Sequence, residues 1–462
     1  MEILIVLLAL GLLMAVAYRG MSVILCAPLC ALLAVLLAHG PAQVLPFYSD
    51  VFMSKMVGFV QLYFPVFLLG AVFGKLIDLS GAASSISRTI VAVLGARHVM
   101  LAIVLACVVL TYGGVSLFVV AFAVYPLAAG LFRQCDIPKR LVPGTIALGS
   151  FTFTMDALPG TPQIQNVIPT TFFGTTLYAA PVLGCCGALF VLLLGMAYLS
   201  WQRRRAGEEG YGHNHTMEPE PVAEGAPCLA FGLALLPLLV VALVNLWLGR
   251  QLPQLYGNEY TFLAGVDEHK VTVAKMAGIW SIELALTAGI LTTLAIGWRA
   301  IHVKAKQGLD AAVAGALLAT MNTASEYGFG GVIASLPGFT AVKNLVANAF
   351  SDPLVNQAVS VNLLAGVTGS ASGGMSLALA AMGKTYLEAA QRDGISPQVL
   401  HRVASMASGG MDTLPHNGAV ITLLLITGLT HRQSYKDIFA ITCIKTMAVF
   451  FIIAIYRITG LY

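Results

Sequence analysis

Two acids sit in the same short motif: Asp156 in Met155-Asp156-Ala157-Leu158-Pro159 and Asp412 in Met411-Asp412-Thr413-Leu414-Pro415. Each motif interrupts apolar surroundings, the first within FTFTMDALPGTPQIQN (Phe151 to Asn166) and the second within SGGMDTLPHNG (Ser408 to Gly418). An ionisable group held in hydrocarbon is costly and marks an ion or proton path; the same side chain can also cap the helix that follows the break. Glu326, alone among acids in its apolar stretch (Met321 to Gly331), is a candidate proton carrier. His416, directly after the second motif, is of a type that changes charge near neutral pH and is equally suited to lining a cavity.

A second set of residues suits an anion. Gly113-Gly114-Val115-Ser116-Leu117 and Ser370-Ala371-Ser372-Gly373-Gly374 read as turns at membrane depth, where non-helical backbone must be buried in protein or line a wet cavity. A helix starting after such a turn points free N–H groups and its positive dipole end at the cavity. Ser116, Thr161, Gln163, Asn166, Ser372, Ser376 and Asn417 add hydroxyls and amides at the same levels, as do Thr152 and Thr154. Gly113, Gly114, Gly373 and Gly374 also have a bland reading, close helix packing. Lysine and arginine are missing around the breaks except for Lys384, so helix N-termini are expected to hold the carboxylate, which favours a singly charged substrate.

These groups need a scaffold, and composition supplies its type. The 462 residues are 58% hydrophobic and 10% charged, against about 25% charged in soluble domains, and mean hydropathy is +0.85. Apolar runs of membrane-spanning length recur at about 2–18, 21–39, 57–77, 98–131, 141–175, 177–200, 228–249, 276–298, 310–336, 354–385, 403–430 and 437–459. The chain reads as an all-α polytopic membrane protein, and the run from Glu2 to Tyr18 as a retained span. The eight cysteines are scattered and read as core packing. A net charge of +4 gives no reason to expect a nucleic-acid partner.

Trp201 to Pro227 is polar and Pro/Gly-rich and reads as a cytoplasmic linker between residues 1–200 and 228–462; Gln251 to Lys275 reads as a second polar loop. His213 and His215 with Glu208, Glu209, Glu218 and Glu220 could form a weak metal site but suit a solvated loop better. The halves repeat. Gly113–Leu117 matches Gly373–Leu377, Met155–Pro159 matches Met411–Pro415, and Gly70–Gly74 weakly matches Gly330–Ala334, in order and roughly 256–260 residues apart. Matched interruptions in two halves point to a transporter's binding site.

Arg19, Arg88, Arg97, Arg133, Lys139, Arg140 and Arg203–Arg205 share one cytoplasmic face if 98–131 is a hairpin turning at Tyr112-Gly113-Gly114. The expected fold is then two inverted-topology repeats. Each has a re-entrant hairpin (98–131, 354–385) and a broken transmembrane helix (141–175, 403–430). This places Lys343, Arg392 and Arg402 outside, and two full spans in place of each hairpin satisfy the charges equally.

YGGVSLFVVAFAVYPLA (Tyr112 to Ala128), PGTIALGSFTFTMDALPGTPQIQNVIPTTFFGT (Pro143 to Thr175) and ASGGMDTLPHNGAVITLL (Ala407 to Leu424) resemble the GntP family of permeases, especially its hydroxybutyrate branch. The resemblance implies a homodimer with scaffold and transport domains, opposed re-entrant hairpins, and uptake of gluconate-like or short hydroxy acids, usually with protons. Leu158-Pro159-Gly160-Thr161-Pro162 stands where gluconate-type members have a His-Pro-rich block.

The leading expectation is a symporter of the bacterial inner membrane carrying a hydroxy-monocarboxylate such as 3-hydroxybutyrate. It needs no cofactor beyond H+ or Na+ as coupling ion, with Asp156, Asp412, Glu326 and His416 on the ion path. A cation/proton antiporter, a di- or tricarboxylate carrier, and an intramembrane aspartic protease using Asp156 and Asp412 as a dyad are the alternatives.

Overall fold

The computed structural model describes residues 2–18, 21–95, 98–115, 117–207, 209–212, 229–257, 259–264, 267–339, 350–368, 370–415 and 417–462. The apolar runs are helical, because a helix satisfies its own backbone where water is absent. Among the described residues five helical runs are long and apolar enough to cross a membrane: Pro41–Leu79, Pro181–Arg205, Phe231–Tyr256, Met276–Ser335 and His431–Thr459. The protein is a multi-pass helical membrane protein.

In chain order, α1 (Glu2–Tyr18) and α2 (Val23–His39) pair, and α3 (Pro41–Leu79) and the amphipathic α4 (Ala82–Leu94) follow. A first hairpin is α5 (Val99–Tyr112) and α6 (Leu117–Gln134). A broken helix comes next: α7 (Leu141–Ser150), one turn α8 (Phe153–Asp156), and α9 (Ile164–Phe173). Then come α10 (Pro181–Arg205) and α11 (Phe231–Tyr256). After β1 (Glu259–Ala264), β2 (Asp267–Thr272) and α12 (Val273–Ser335), the second hairpin is α13 (Pro353–Thr368) and α14 (Ala371–Arg392). The second broken helix is α15 (Pro397–Gly409), a 3-10 turn (Gly410–Thr413) and α16 (Gly418–Thr427), before the final α17 (His431–Thr459). At 1.5 Å per residue the leading hairpin arms α5 and α13 measure about 21 and 24 Å, short of the bilayer's roughly 30 Å hydrocarbon core.

Three expectations are corrected. The helix α10 runs on through Arg205, so the polar linker starts later than Trp201; residues 213–227 lie outside the described set, with His213, His215, Glu218 and Glu220. The loop from Gln251 to Lys275 is largely ordered: α11 continues to Tyr256, and an antiparallel ribbon pairs Tyr260 with Val271 and Phe262 with His269. Among the described residues this two-stranded ribbon is the one sheet in a helical chain. Arg402, expected just beyond the apolar segment 403–430, lies within α15 and is fully buried, whereas Arg392 is exposed; Lys343 lies outside the described residues.

The helix α12 folds back along α3. A side chain at Gly289 would run into Phe73, at Gly297 into Ser80, at Gly308 into Leu79, and at Gly331 into Lys55. Contacts therefore climb α3 along residues 289–297 and descend it along 308–331. The two apolar segments at 276–298 and 310–336 are the arms of this fold-back.

Candidate functional site

The first break is built so that its freed carbonyls find donors. Thr152 Oγ1 donates to Leu148 O at 2.5 Å, Thr154 Oγ1 to Gly149 O at 2.8 Å, and Thr161 Oγ1 to Thr154 O at 2.7 Å. The Asn166 amide donates to both Thr161 O and Leu177 O at 2.9 Å. Gly160, at φ +83°, donates its N–H to Leu177 O. Arg402 completes the break from α15, donating to Asp156 O (2.7 Å), Ala179 O (2.7 Å) and Asn166 Oδ1 (3.1 Å). Ser405 Oγ joins it on Asp156 O at 2.9 Å, and His401 holds Asn166 Oδ1 through Nε2 and Thr175 Oγ1 through Nδ1. Orphaned carbonyls at this depth each cost several kcal/mol, so these side chains keep the backbone open. Thr161 and Asn166, expected at the substrate, turn their donors to the chain itself.

The first hairpin tip is fastened to this break. Tyr112 OH donates to Pro159 O at 2.9 Å, and Gln163 Nε2 to Thr111 O at 2.8 Å and Val115 O at 3.3 Å. Gly114, at φ +95°, takes the left-handed turn glycine tolerates and lies against Pro162, Phe73 and Leu286. Gly113 packs on Leu238 of α11. Gln163, another expected substrate ligand, thus ties the tip to the break through its amide nitrogen. Ser116 lies outside the described residues.

The second tip meets the second break through Asp412. Ala371 N, at the start of α14, donates to Asp412 Oδ1 at 3.1 Å, and Gln165 Nε2 donates to Asp412 Oδ2 at 2.7 Å. Ser370 Oγ caps the same helix by accepting from Gly373 N. The positive end of α14 is therefore occupied by the protein's own carboxylate. Glu326 approaches from α12: it shares a hydrogen bond with Ser370, while its Oε2 faces Gly373 with no hydrogen-bond donor among the described residues, and a Cβ there would collide with it. Ser372 reaches Thr323 at 3.3 Å. Gly374 packs against Ala365, closing the arms of the hairpin. Ser376 is buried with no hydrogen-bond partner among the described residues, and Asn417 Oδ1 accepts from Ala419 N, capping α16. His416 lies outside the described residues.

Where the breaks meet, Asp156 pairs with Lys445 of α17, and both side chains are buried. Lys445 Nζ also donates to Phe151 O at 3.2 Å and exerts its charge on Asp412. Gly409 lies directly over the pair, and a Cβ there would run into both Asp156 Oδ2 and Lys445 Nζ. Gln165 Oε1 has no donor among the described residues. The expectation that only Lys384 could bring a base near the breaks is corrected: Lys384 is exposed, and among the described residues the buried Lys445 and Arg402 reach the breaks. Asp156 lies within reach of the charges of both Lys445 and Arg402, Asp412 within reach of Lys445, and Glu326 within reach of Asp412.

Residues 1–256 match the family model described as GntP family permease. The chain belongs to this family. The GntP-family chain is 58% identical to the uncharacterized transporter YxjC of Bacillus subtilis (strain 168) over 472 residues, covering 100% of both. An uncharacterized transporter of Haemophilus influenzae is 41% identical over 73 residues, 16% of this permease and 17% of that protein. In fold, the permease is similar to the crystal structure of the YdaH transporter of Alcanivorax borkumensis, with a TM-score of 0.58 and 14% identity over 92% of this chain and 91% of that one.

Proposed function

We propose that this permease is a cation-coupled symporter of a small hydroxy-monocarboxylate, such as 3-hydroxybutyrate or a gluconate-like acid. It would act as a homodimer in the bacterial cytoplasmic membrane. The observation that carries the reading is Lys445, a buried ammonium balanced by the carboxylate of a broken helix, at the junction of both breaks. A second positive site, the N-terminus of α14, is filled by Asp412. The protein's own carboxylates stand where a substrate carboxylate would be stabilised.

Coupling follows from exchange. A proton on Asp156 removes its claim on Lys445, and the substrate carboxylate takes the vacated ammonium. Proton and anion then enter together, and the buried charge is unchanged. If the ion is Na+, the carboxylates of Glu326 and Asp412 provide its ligands. Either way the cation favours the substrate-loaded state, which is what coupling requires. Short leading arms in both hairpins suit access from opposite faces, as inverted repeats would provide.

The aspartic-dyad alternative is not favoured, because Asp156 and Asp412 are committed to different partners, Lys445 and the Ala371 N–H. The test is uptake of labelled 3-hydroxybutyrate by purified protein in liposomes, under separate inward proton and sodium gradients. Unlabelled gluconate, lactate and citrate serve as competitors. Accumulation under one gradient, blocked by hydroxy-monocarboxylates and not by citrate, is the expected result. Ion flux without any acid would instead favour cation/proton antiport.

A further inference from the structure

A cavity of about 580 Å³ lies between α3, the end of α9, the β2 strand and the returning arm of α12. That volume falls within the roughly 300–1,000 Å³ typical of ligand pockets. Its walls carry Lys55 and Lys270, with Ser54, Tyr63, Thr171 and Tyr327 among the polar groups, and among the described residues no aspartate or glutamate. The aliphatic stem of Lys55 lies on Gly331, so a missing side chain on α12 seats the lysine at the rim. Tyr63 bonds Thr171 Oγ1 at 2.6 Å, closing the floor against α9, the helix that carries Gln165. Tyr327, on the α12 side, is the neighbour of Glu326 in sequence.

We infer that this cavity is an anion-collecting vestibule. It gathers small carboxylates by the charge of Lys55 and Lys270 before they pass to the buried centre, and it opens on the face bearing the β1–β2 ribbon. The inference rests on the anion-symport reading. The ribbon follows α11, whose other end carries the linker next to Arg203–Arg205, so arginine-rich loops on the cytoplasmic face put the vestibule outside. A basic cleft with low-dielectric walls raises the local concentration of anions, and salt weakens the effect. The lysines therefore act on capture and leave turnover alone.

The experiment measures carboxylate uptake by wild type, Lys55→Gln/Lys270→Gln and Lys55→Arg/Lys270→Arg, at about 20 mM and about 500 mM salt, in phosphatidylcholine liposomes with and without phosphatidylglycerol. The expected result is a KM for the glutamine pair about five- to tenfold higher at low salt, with kcat unchanged. The gap closes at high salt, and the arginine pair stays at the wild-type value in both lipids. An equal KM for all three proteins overturns the inference. So does a fall in kcat at constant KM, which marks a structural role, and so does an effect confined to phosphatidylglycerol, which assigns the lysines to lipid headgroups. If wild type takes up no carboxylate at all, the transport reading itself fails and the vestibule falls with it.

Discussion

Gln165 donates its side-chain amide to Asp412 at 2.7 Å, joining the helix that follows the first break to the acid inside the second. The bond spans 247 positions of sequence. Two residues earlier, Gln163 holds the first hairpin tip at Thr111 O. One end of α9 thus touches both hairpins, the second through Asp412. Gln165→Leu removes the bond and leaves a buried carboxylate oxygen short of a donor, a loss of about 1.5–3 kcal/mol for a bond to a charged group. Measured in liposomes, it should lower kcat at least tenfold, whereas Gln165→Glu should be worse because it sets a second acid against Asp412.

Lys445→Met leaves Asp156 buried without its cation. Breaking such a pair from one side costs about 3–5 kcal/mol. The variant should unfold at markedly lower temperature in detergent and transport nothing. Adding Asp156→Asn should restore thermal stability while transport stays absent. Recovery of transport in the double variant would show the pair to be structural.

Gly409→Ala places a methyl group where Asp156 and Lys445 meet. Overpacking of this kind costs about 1–3 kcal/mol. The measurable sign is a loss of gradient-driven accumulation larger than the loss of substrate binding, read by comparing counterflow with concentrative uptake.

Arg402→Lys is not conservative, since an ammonium cannot reproduce the fork that reaches Asp156 O, Ala179 O and Asn166 Oδ1. Expression of folded protein, judged by a single symmetric peak in size-exclusion chromatography, should fall severely for Arg402→Lys and Arg402→Met alike.

The pH dependence can be probed away from the centre, at Asp352. Burial raises its carboxyl, but the hydrogen bond from Arg457 and those from the N–H groups of Leu354 and Val355 outweigh burial and hold it below the ordinary value. A lowered pKa stabilises the fold above the unfolded value, near 4, and the contribution vanishes as pH falls through the folded one. Asp352→Asn should therefore lower the melting temperature at pH 7 by an amount worth less than about 1 kcal/mol, the pair being partly exposed. The difference should shrink on titration toward pH 3.

Sequence reading pointed to the breaks and helical hairpins because their glycine-, proline- and aspartate-bearing motifs recur at matched positions of the two halves. It brought Asp156, Asp412 and Glu326 forward as acids within apolar stretches, and the structure gathers them around Lys445, α14 and Ser370. Lys445 was legible too: a lysine amid ITCIKTMAVFF is an intramembrane charge, and such a charge deserves the same reading as an acid. Arg402 was harder. Loop-charge reasoning treats a basic residue near a helix start as an orientation signal, and only the fold reveals that the carbonyls it serves lie more than 220 positions away. The scaffolding duties of Thr161, Gln163 and Asn166 were hidden likewise, because a side chain that bonds backbone and one that bonds ligand have the same composition. The ribbon at 259–272 alternates only weakly and was masked by its charges.

The fold-back of α12 along α3 also sets an order of events at the ribosome. Leu79 emerges about 190 residues before Val273, a wait of roughly 10–40 s at 5–20 residues per second. Throughout that time the surface of α3 that will meet α12 faces lipid or provisional neighbours. A nascent chain ending near the central linker therefore inserts with its first half unclasped, and the permease reaches its closed architecture as one unit only after Ser335 has entered the bilayer.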